Sequence, residues 1–314
     1  MTIDSSAPEL SFIIPVFNEE DNIRTLLNRV LNVLSKLPCS CEIILVNDGS
    51  TDKSEQLLIT AASEDSRIKV VLLSRNYGHQ VAVSAGMAHA KCTEAAFILD
   101  GDLQDPPEMA EPFLTQLRAG YDVVYGVRKN RKEAWYKRFA YFIAYRIIQS
   151  ISATQMPLDS GDYAMISRRV LDEMNAMPEQ KRYLRGLRAW VGFRQCGFEY
   201  EREARYAGTS KYSFKMLLDL AFEGIFNFSD FPIRLIRILG TWSLLICSIY
   251  SVYLIYQYIF LDSVPQGFAT IILFMFFLNG VQFLAISVVG EFAARGLVEA
   301  RKRPLFIVRE TFNL

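Results

Sequence analysis

The sequence predicts an α/β domain built on a parallel sheet and followed by a membrane-embedded segment. Three observations carry that expectation. Within the first 128 residues, five short β-rich runs are apolar almost without interruption, the pattern of strands covered on both faces. The stretches between them have helical spacing and polar starts, so the order is βαβαβ. Near the C-terminal end, the runs 238–260 and 267–290 contain no charged residue, and each is long enough to cross a hydrocarbon core at about 1.5 Å per residue.

Taken in order, "SFIIPVFN" (11–18) is the first strand and 21–36 the first amphipathic helix. "EIILVND" (42–48) and "IKVVLLSR" (68–75) are the next strands, 80–90 a further helix, and "AAFILDGD" (95–102) and "YDVVYGVR" (121–128) the fourth and fifth strands. Open parallel sheets bind ligands beyond the carboxyl ends of their strands. Polar residues gather at those ends: Asn18 and Glu19, Asp48, Arg75 and Asn76, Asp100 and Asp102, and Arg128. Asp100 and Asp102 flank the small Gly101, so both carboxylates can reach one divalent cation and a diphosphate it bridges. Hard cations such as Mg2+ or Mn2+ take oxygen ligands and share them with phosphates. Asp-Gly-Asp is also a good turn sequence, so the pair alone does not assign a metal.

Further on, Phe214, Leu217, Leu218, Ala221, Phe222 and Ile225 fall on one helical face. With Lys211 and Lys215 at its start, this reads as a helix lying in a membrane interface, though a helix packed on the domain core would show the same face. Pro232 suits the opening of the next helix, with Ser229 or Asp230 as its cap. The connector 261–266 carries one Asp and no Lys or Arg, whereas Arg234, Arg237, Arg295, Arg301, Lys302 and Arg303 flank the outer ends of the two apolar runs. The positive-inside rule places both termini in the cytoplasm. The expected layout is a cytoplasmic domain over 1–209, an amphipathic juxtamembrane segment over 210–234, two transmembrane helices within 235–291 and a cytoplasmic tail over 292–314.

Basic and acidic residues balance at 34 each, so nothing suggests a polyanion partner, and nucleic acid is not expected. The five cysteines are odd in number and scattered, behind a short polar N-terminus with no secretory signal, and read as reduced thiols. Cys39 and Cys41 form a C-x-C pair, but no second pair or nearby histidine completes four zinc ligands.

The motifs "IIPVFNEEDNI", "VNDGSTDKS", "LSRNYGHQVAVSAGMAHA" and "LDGDLQDPPE", in that order and at βα-unit spacing, resemble the glycosyltransferases of family 2 with a GT-A fold, which is Rossmann-like with a mostly parallel sheet. "VVYGVR", "DSGDYAMISR", "AGTSKYSFKMLLDLAFEGIFNFSDFPIRL" and "GEFAARGLVEARKRPLFIV" extend the resemblance over almost the whole chain. They are similar to the polyisoprenyl-phosphate glycosyltransferases, relatives of dolichol-phosphate mannose synthase, and within these to bactoprenol glucosyltransferases with two C-terminal spans. The resemblance implies an inverting, metal-dependent transfer of a sugar from a nucleotide diphosphate, with UDP-glucose favoured, to a polyprenyl phosphate at the cytoplasmic face of a bacterial inner membrane. It leaves a homo-oligomer open. A processive polysaccharide synthase would share the GT-A motifs but needs a Q-x-x-R-W element that "LRAW" (187–190) does not supply. An inactive membrane-anchored scaffold is disfavoured by the intact Asp48, Asp100, Asp102 and Arg128.

Carried onto this chain, the resemblance casts Pro15, Phe17, Asn18 and Glu19, with Asp48, as the cradle of the nucleotide base and ribose; Asp48 in "NDGS" also suits a turn cap. Asp100, Gly101 and Asp102 take the diphosphate positions, with Asp100, Asp102 and Gln104 as ligands of Mg2+ or Mn2+. His79 opens a helix whose unpaired N–H groups attract anions, so it either helps hold substrate or serves the helix start; His89, inside the same helix, reads as an ordinary histidine. Arg128 and Arg138, with Lys137 as the alternative to Arg138, take the lipid-phosphate positions, where cations must offset the repulsion between two anions in a water-poor site. Arg205 and Lys211 clamp the donor diphosphate or the acceptor phosphate. Asp159 and Asp162 form a second acidic cluster. A phosphate monoester with a second pKa of about 6 is already largely ionised at neutral pH. The expected work of Asp159 is therefore to orient the acceptor or a sugar hydroxyl, or to stabilise developing positive charge on the sugar, with proton removal secondary, and the residues alone do not choose between Asp159 and Asp162.

Overall fold

The structure is a computed structural model that describes residues 7–128, 160–180, 182–200, 231–260 and 267–314. The chain divides into two units, one taking in residues 1–145, 154–213 and 303–314, the other 146–153 and 214–302.

In the first unit, β1 (Leu10–Val16), β2 (Cys41–Asn47), β3 (Ile68–Leu73) and β4 (Ala95–Ile98) are parallel, with β1 between β2 and β4 and β3 outside β2. Their apolar runs are continuous because both faces are covered: every residue of β1 is buried. Helix α1 (Ile23–Leu34) turns Ile23, Leu26, Leu27, Val30, Val33 and Leu34 inward, a spacing that leaves its other face to solvent. Helices α2 (Ser54–Glu64), α3 (His79–His89) and α4 (Ala110–Arg118) follow the strands in turn. Leu10, Phe12, Ile14 and Val16 share one core cluster with α1, α2 and α4, and α3 packs on β1 and β2.

Beyond β4 the sheet departs from a simple parallel series. The fifth expected strand, β5 (Val123–Arg128), does not lie next to β4; β6 (Ser160–Ser167) runs antiparallel between them. Helices α5 (Arg168–Ala176) and α6 (Leu184–Val191) lead to β7 (Gln195–Tyr200), which pairs parallel with β5. At the opposite edge, β8 (Val308–Phe312) pairs antiparallel with β3, giving the order β7-β5-β6-β4-β1-β2-β3-β8. The segment expected to be a tail after residue 291 thus includes an edge strand of the sheet. Its Asn313 amide donates to the carbonyls of Ala62 and Ile68.

A chain of rings fills the core beneath β4. Phe97 stands edge-on to Phe12 and Phe113, with centroids 5.4 and 5.7 Å away, and Tyr163 and Tyr200 lie 5.0 Å apart. The two tyrosines use their hydroxyls on the loop after β4: Tyr163 donates to the Pro106 carbonyl at 2.6 Å and Tyr200 to Asp105 Oδ1 at 2.7 Å. Asp105 is fully buried. This third carboxylate of "LDGDLQD" therefore anchors the loop rather than lining a crevice.

In the second unit, α7 (Phe231–Phe260) and α8 (Phe268–Ala300) contain the two charge-free runs. Among the described residues the stretch Phe277–Ala300 is long and apolar enough to cross a membrane. Ile249, Val252 and Phe260 on α7, and Phe283 and Val289 on α8, are exposed, an apolar surface on a scale that marks contact with lipid or protein.

Candidate active site

The carboxyl ends of β1, β2 and β4 open on one edge of the sheet, and the antiparallel β6 begins at that same edge. Two loops there are built against each other. Gly49 has φ +67°, and a Cβ on it would come within 2.6 Å of the Arg75 and Asn76 backbone, so only glycine lets the loop after β2 lie on the loop after β3. Asp48 completes this junction by accepting the Tyr77 N–H on Oδ1 (2.7 Å) and the Gly78 N–H on Oδ2 (2.9 Å). Burial pushes the Asp48 pKa up, and the two backbone donors offset only part of that rise. Asn18, with φ +53°, accepts the Thr51 N–H on Oδ1 at 2.8 Å, while its own N–H donates to Ser50 Oγ at 3.0 Å. The Glu19 N–H donates to Ser54 Oγ at 2.9 Å.

The next wall is the loop after β4. Gly101 sits so close to β1 that a Cβ would lie 2.9 Å from the Pro15 carbonyl oxygen. Asp100, on one side of it, is half-buried; Asp102, on the other, is buried and accepts the Gln104 N–H at 3.1 Å on Oδ1. Facing them, His79 is the first residue of α3, and its Nε2 stands 3.4 Å from Asp100 Oδ1 and 3.7 Å from Asp162 Oδ2. Burial lowers the imidazole pKa, but Asp100 and Asp162 more than reverse this and bring it to about 9. The two carboxylates thus favour the protonated imidazole.

Asp162, near the start of β6, is held by side chains from two helices. Arg185 of α6 donates from Nε to Oδ1 at 3.0 Å and from a terminal nitrogen to Oδ2 at 3.4 Å; Gln80 Nε2 donates to Oδ2 at 2.8 Å. Burial would raise the Asp162 pKa, yet Arg185 and His79 hold it well below the usual carboxylate range. Behind it, the buried Arg188 donates to the Gly161 carbonyl at 3.1 Å and stacks over Tyr125, 5.4 Å from the ring centroid. Burial pushes this guanidinium down to about 10.

A strand-end crevice walled by aspartates belongs to several kinds of enzyme, and comparison with known proteins decides between them. A sequence profile of glycosyl transferase family 2 matches residues 11–174. An uncharacterized glycosyltransferase of Synechocystis sp. is 38% identical, over 98% of this chain and 96% of its own. The chain belongs to glycosyltransferase family 2. The SfII prophage-derived bactoprenol glucosyl transferase of Shigella flexneri is 32% identical to this glycosyltransferase over 96% of this chain and 98% of its own. Among solved structures, Mycobacterium tuberculosis glucosyl-3-phosphoglycerate synthase in complex with Mn2+, UDP-glucose and phosphoglyceric acid aligns with a TM-score of 0.47 at 16% identity, covering 69% of this chain and 77% of that one.

Of the residues singled out in the sequence of this glycosyltransferase, Pro15, Phe17, Asn18, Glu19, Asp48, His79, Asp100, Gly101, Asp102, Gln104 and Asp162 lie along the edge just described. Arg128 ends β5, opposite Tyr200 in the parallel register with β7. Arg138, Asp159, Arg205 and Lys211 lie outside the described residues, as does the helical face over 214–225. His89 donates from Nδ1 to the Ala85 carbonyl within its own helix, at 2.7 Å. Cys39 and Cys41 are free thiols 3.8 Å apart. Among the described residues no three His, Cys, Asp or Glu side chains gather as a metal site. Asp100, Asp102 and Gln104 nonetheless offer hard oxygen donors on a loop pressed against β1, a set that suits a hard cation completing its shell with phosphate oxygens and water. Sequence reasoning missed Gln80, Arg185 and Arg188. The only local signal was the i, i+3 spacing of two arginines in "LRGLRAW", which is equally common on a solvated helix face.

Proposed function

We infer that this glycosyltransferase moves glucose from UDP-glucose to a polyprenyl phosphate, inverting the anomeric centre, at the cytoplasmic face of a bacterial inner membrane. The observation that carries this reading is the meeting of Asp100, Asp102, His79 and Asp162 at one sheet edge, in a chain that also carries two long helices with exposed apolar side chains. Asp48 and Asn18 shape the pocket for the base and ribose, with Pro15, Phe17 and Glu19 beside them. Asp100, Asp102 and Gln104 would hold Mg2+ or Mn2+, which when bound neutralises charge on the departing diphosphate. An oxygen of the lipid phosphate forms the new bond to the anomeric carbon as the bond to UDP breaks, and the charge leaves with UDP. Because the acceptor is largely ionised at neutral pH, with a second pKa of about 6, no base is needed to create the nucleophile.

Arg128, on the far side of β6 from the metal loop, serves the acceptor phosphate with a planar fork that stays charged. Arg138, Arg205 and Lys211 supply further cations. Helices α7 and α8 span the membrane with both ends cytoplasmic, supported by their lengths of 30 and 33 residues, enough for roughly 45 Å or more of helix. The test is incubation of the full-length protein, in detergent, with radiolabelled UDP-glucose and polyprenyl phosphate. A chelator-sensitive monoglucosyl lipid supports the reading, a polymer would make the protein a processive synthase, and no product with any nucleotide sugar would make it a scaffold.

A further inference from the structure

Three elements that are remote in sequence meet at one side chain. Asp162 opens β6, Gln80 and His79 open α3, and Arg185 lies in the first turn of α6. Gln80 serves both sides of the junction: its Nε2 donates to Asp162 Oδ2 at 2.8 Å, and its Oε1 accepts the Leu184 N–H at 2.9 Å. Arg185 closes the fork on both Asp162 oxygens. The carboxylate is thereby held from three directions and is 8% exposed.

We propose that Arg185 is a positioning residue that fixes Asp162 against the start of α3, and that Asp162, with both oxygens so engaged, acts as a stationary negative charge beside the sugar rather than as a proton acceptor. This deepens the glucosyl-transfer reading and rests on it. A proton acceptor needs a free oxygen within reach of the proton and a basicity matched to the working pH. Asp162 has its oxygens committed to a guanidinium and an amide, and the guanidinium of Arg185, with that of Arg188 behind it, disfavours protonation. A stationary carboxylate instead suits the positive charge that develops on a sugar as its bond to a leaving group breaks, because no reorganisation is needed at that moment.

The two roles predict opposite signs for one substitution. Arg185→Gln keeps an amide donor but shortens the side chain and removes the charge. A base released from its cation becomes more basic, so kcat would hold or rise; a stationary charge released from its fork loses its aim, so kcat falls. We expect Arg185→Gln to lower kcat by about 10- to 100-fold while the UDP-glucose Kd from calorimetry stays within about twofold, and Arg185→Lys to recover part of kcat because the cation returns. An unchanged or raised kcat in Arg185→Gln overturns the proposal. So does an equal loss in both variants, which would mark a packing role. Should the wild-type chain make no glucosyl lipid, the failure belongs to the functional reading, and the junction is read instead by thermal melting of Arg185→Gln, Asp162→Asn and the double variant. The double variant melting no lower than Asp162→Asn supports the coupling; additive losses refute it.

Discussion

Asp48 is buried and Asp162 has a side chain only 8% exposed; they stand on two sides of one sheet edge and are driven in opposite directions. Asp48 follows β2 and is bonded to two backbone N–H groups; its pKa is raised. Asp162 opens β6 and is bonded to a guanidinium and an amide with an imidazolium nearby; its pKa is well lowered. Burial has the same sign for both, so the difference lies in the partners. Backbone dipoles satisfy a carboxylate without fully offsetting its loss of water, whereas full charges more than offset it. The β2 side of this edge is accordingly held by the backbone of neighbouring loops, and the β6 side by side-chain charge.

Four measurements would break or sharpen that contrast. The largest effect is expected for Asp162→Ala, which strips the counter-charge from Arg185 and His79. It should cost about 3 kcal/mol in chemical denaturation, the low end for a broken buried pair because Arg185 keeps some solvent contact. Next comes Asp102→Asn, which retains an acceptor oxygen for the Gln104 N–H and should therefore fold normally. Transfer should nonetheless fall about 100-fold, roughly 2.7 kcal/mol of barrier, and full activity in this variant would remove Asp102 from the metal site. A smaller loss, about 1–2 kcal/mol, is expected for Asp48→Ala, the cost of leaving two loop N–H groups without their acceptor. A loss as large as that of Asp162→Ala would show that the kind of partner makes no difference.

The smallest effect is in the pH dependence of melting. Asp162, depressed in the fold, adds stability that is present above its unfolded pKa of about 3.9 and disappears as pH falls through its folded value. Asp48, raised in the fold, adds stability that is present below that same pKa and is lost as pH rises through its folded value. The melting gap between wild type and Asp162→Asn should therefore narrow in acid, while wild type should lose ground to Asp48→Asn as pH climbs above about 4. Parallel profiles would abolish the contrast.

The strand positions β1 to β5 and the helix α1 were legible because a strand buried on both faces must be apolar throughout, and a half-buried helix must repeat its apolar residues at helical spacing; α3, buried on all sides over 82–87, follows no such period. The strand-end carboxylates were legible for the same reason, since charge directly after a buried run has to face a crevice. β7 and β8 were not seen: they are edge strands with partly exposed faces, and "QCGFEY" and "VRETF" carry no continuous apolar signal. β8 also pairs with a strand more than 200 residues earlier in the chain, which no local pattern announces. Nothing within "SGDYAMIS" says that β6 inserts antiparallel between β4 and β5.

That insertion separates what the sequence determined from what tertiary structure decided. The sequence by itself determined the α/β class, the carboxylates after β4 and the apolar C-terminal helices, all consequences of burying apolar side chains at a local period. Tertiary structure decided that Asp105 would anchor a loop through Tyr200, that Asp48 would clamp Tyr77 and Gly78, and that Asp162 would meet Gln80 and Arg185. Those bonds join residues 95, 29, 30, 82 and 23 positions apart. Each carboxylate's charge state follows from what it meets after the sheet has closed, because burial and partner charge do not exist until the chain has folded.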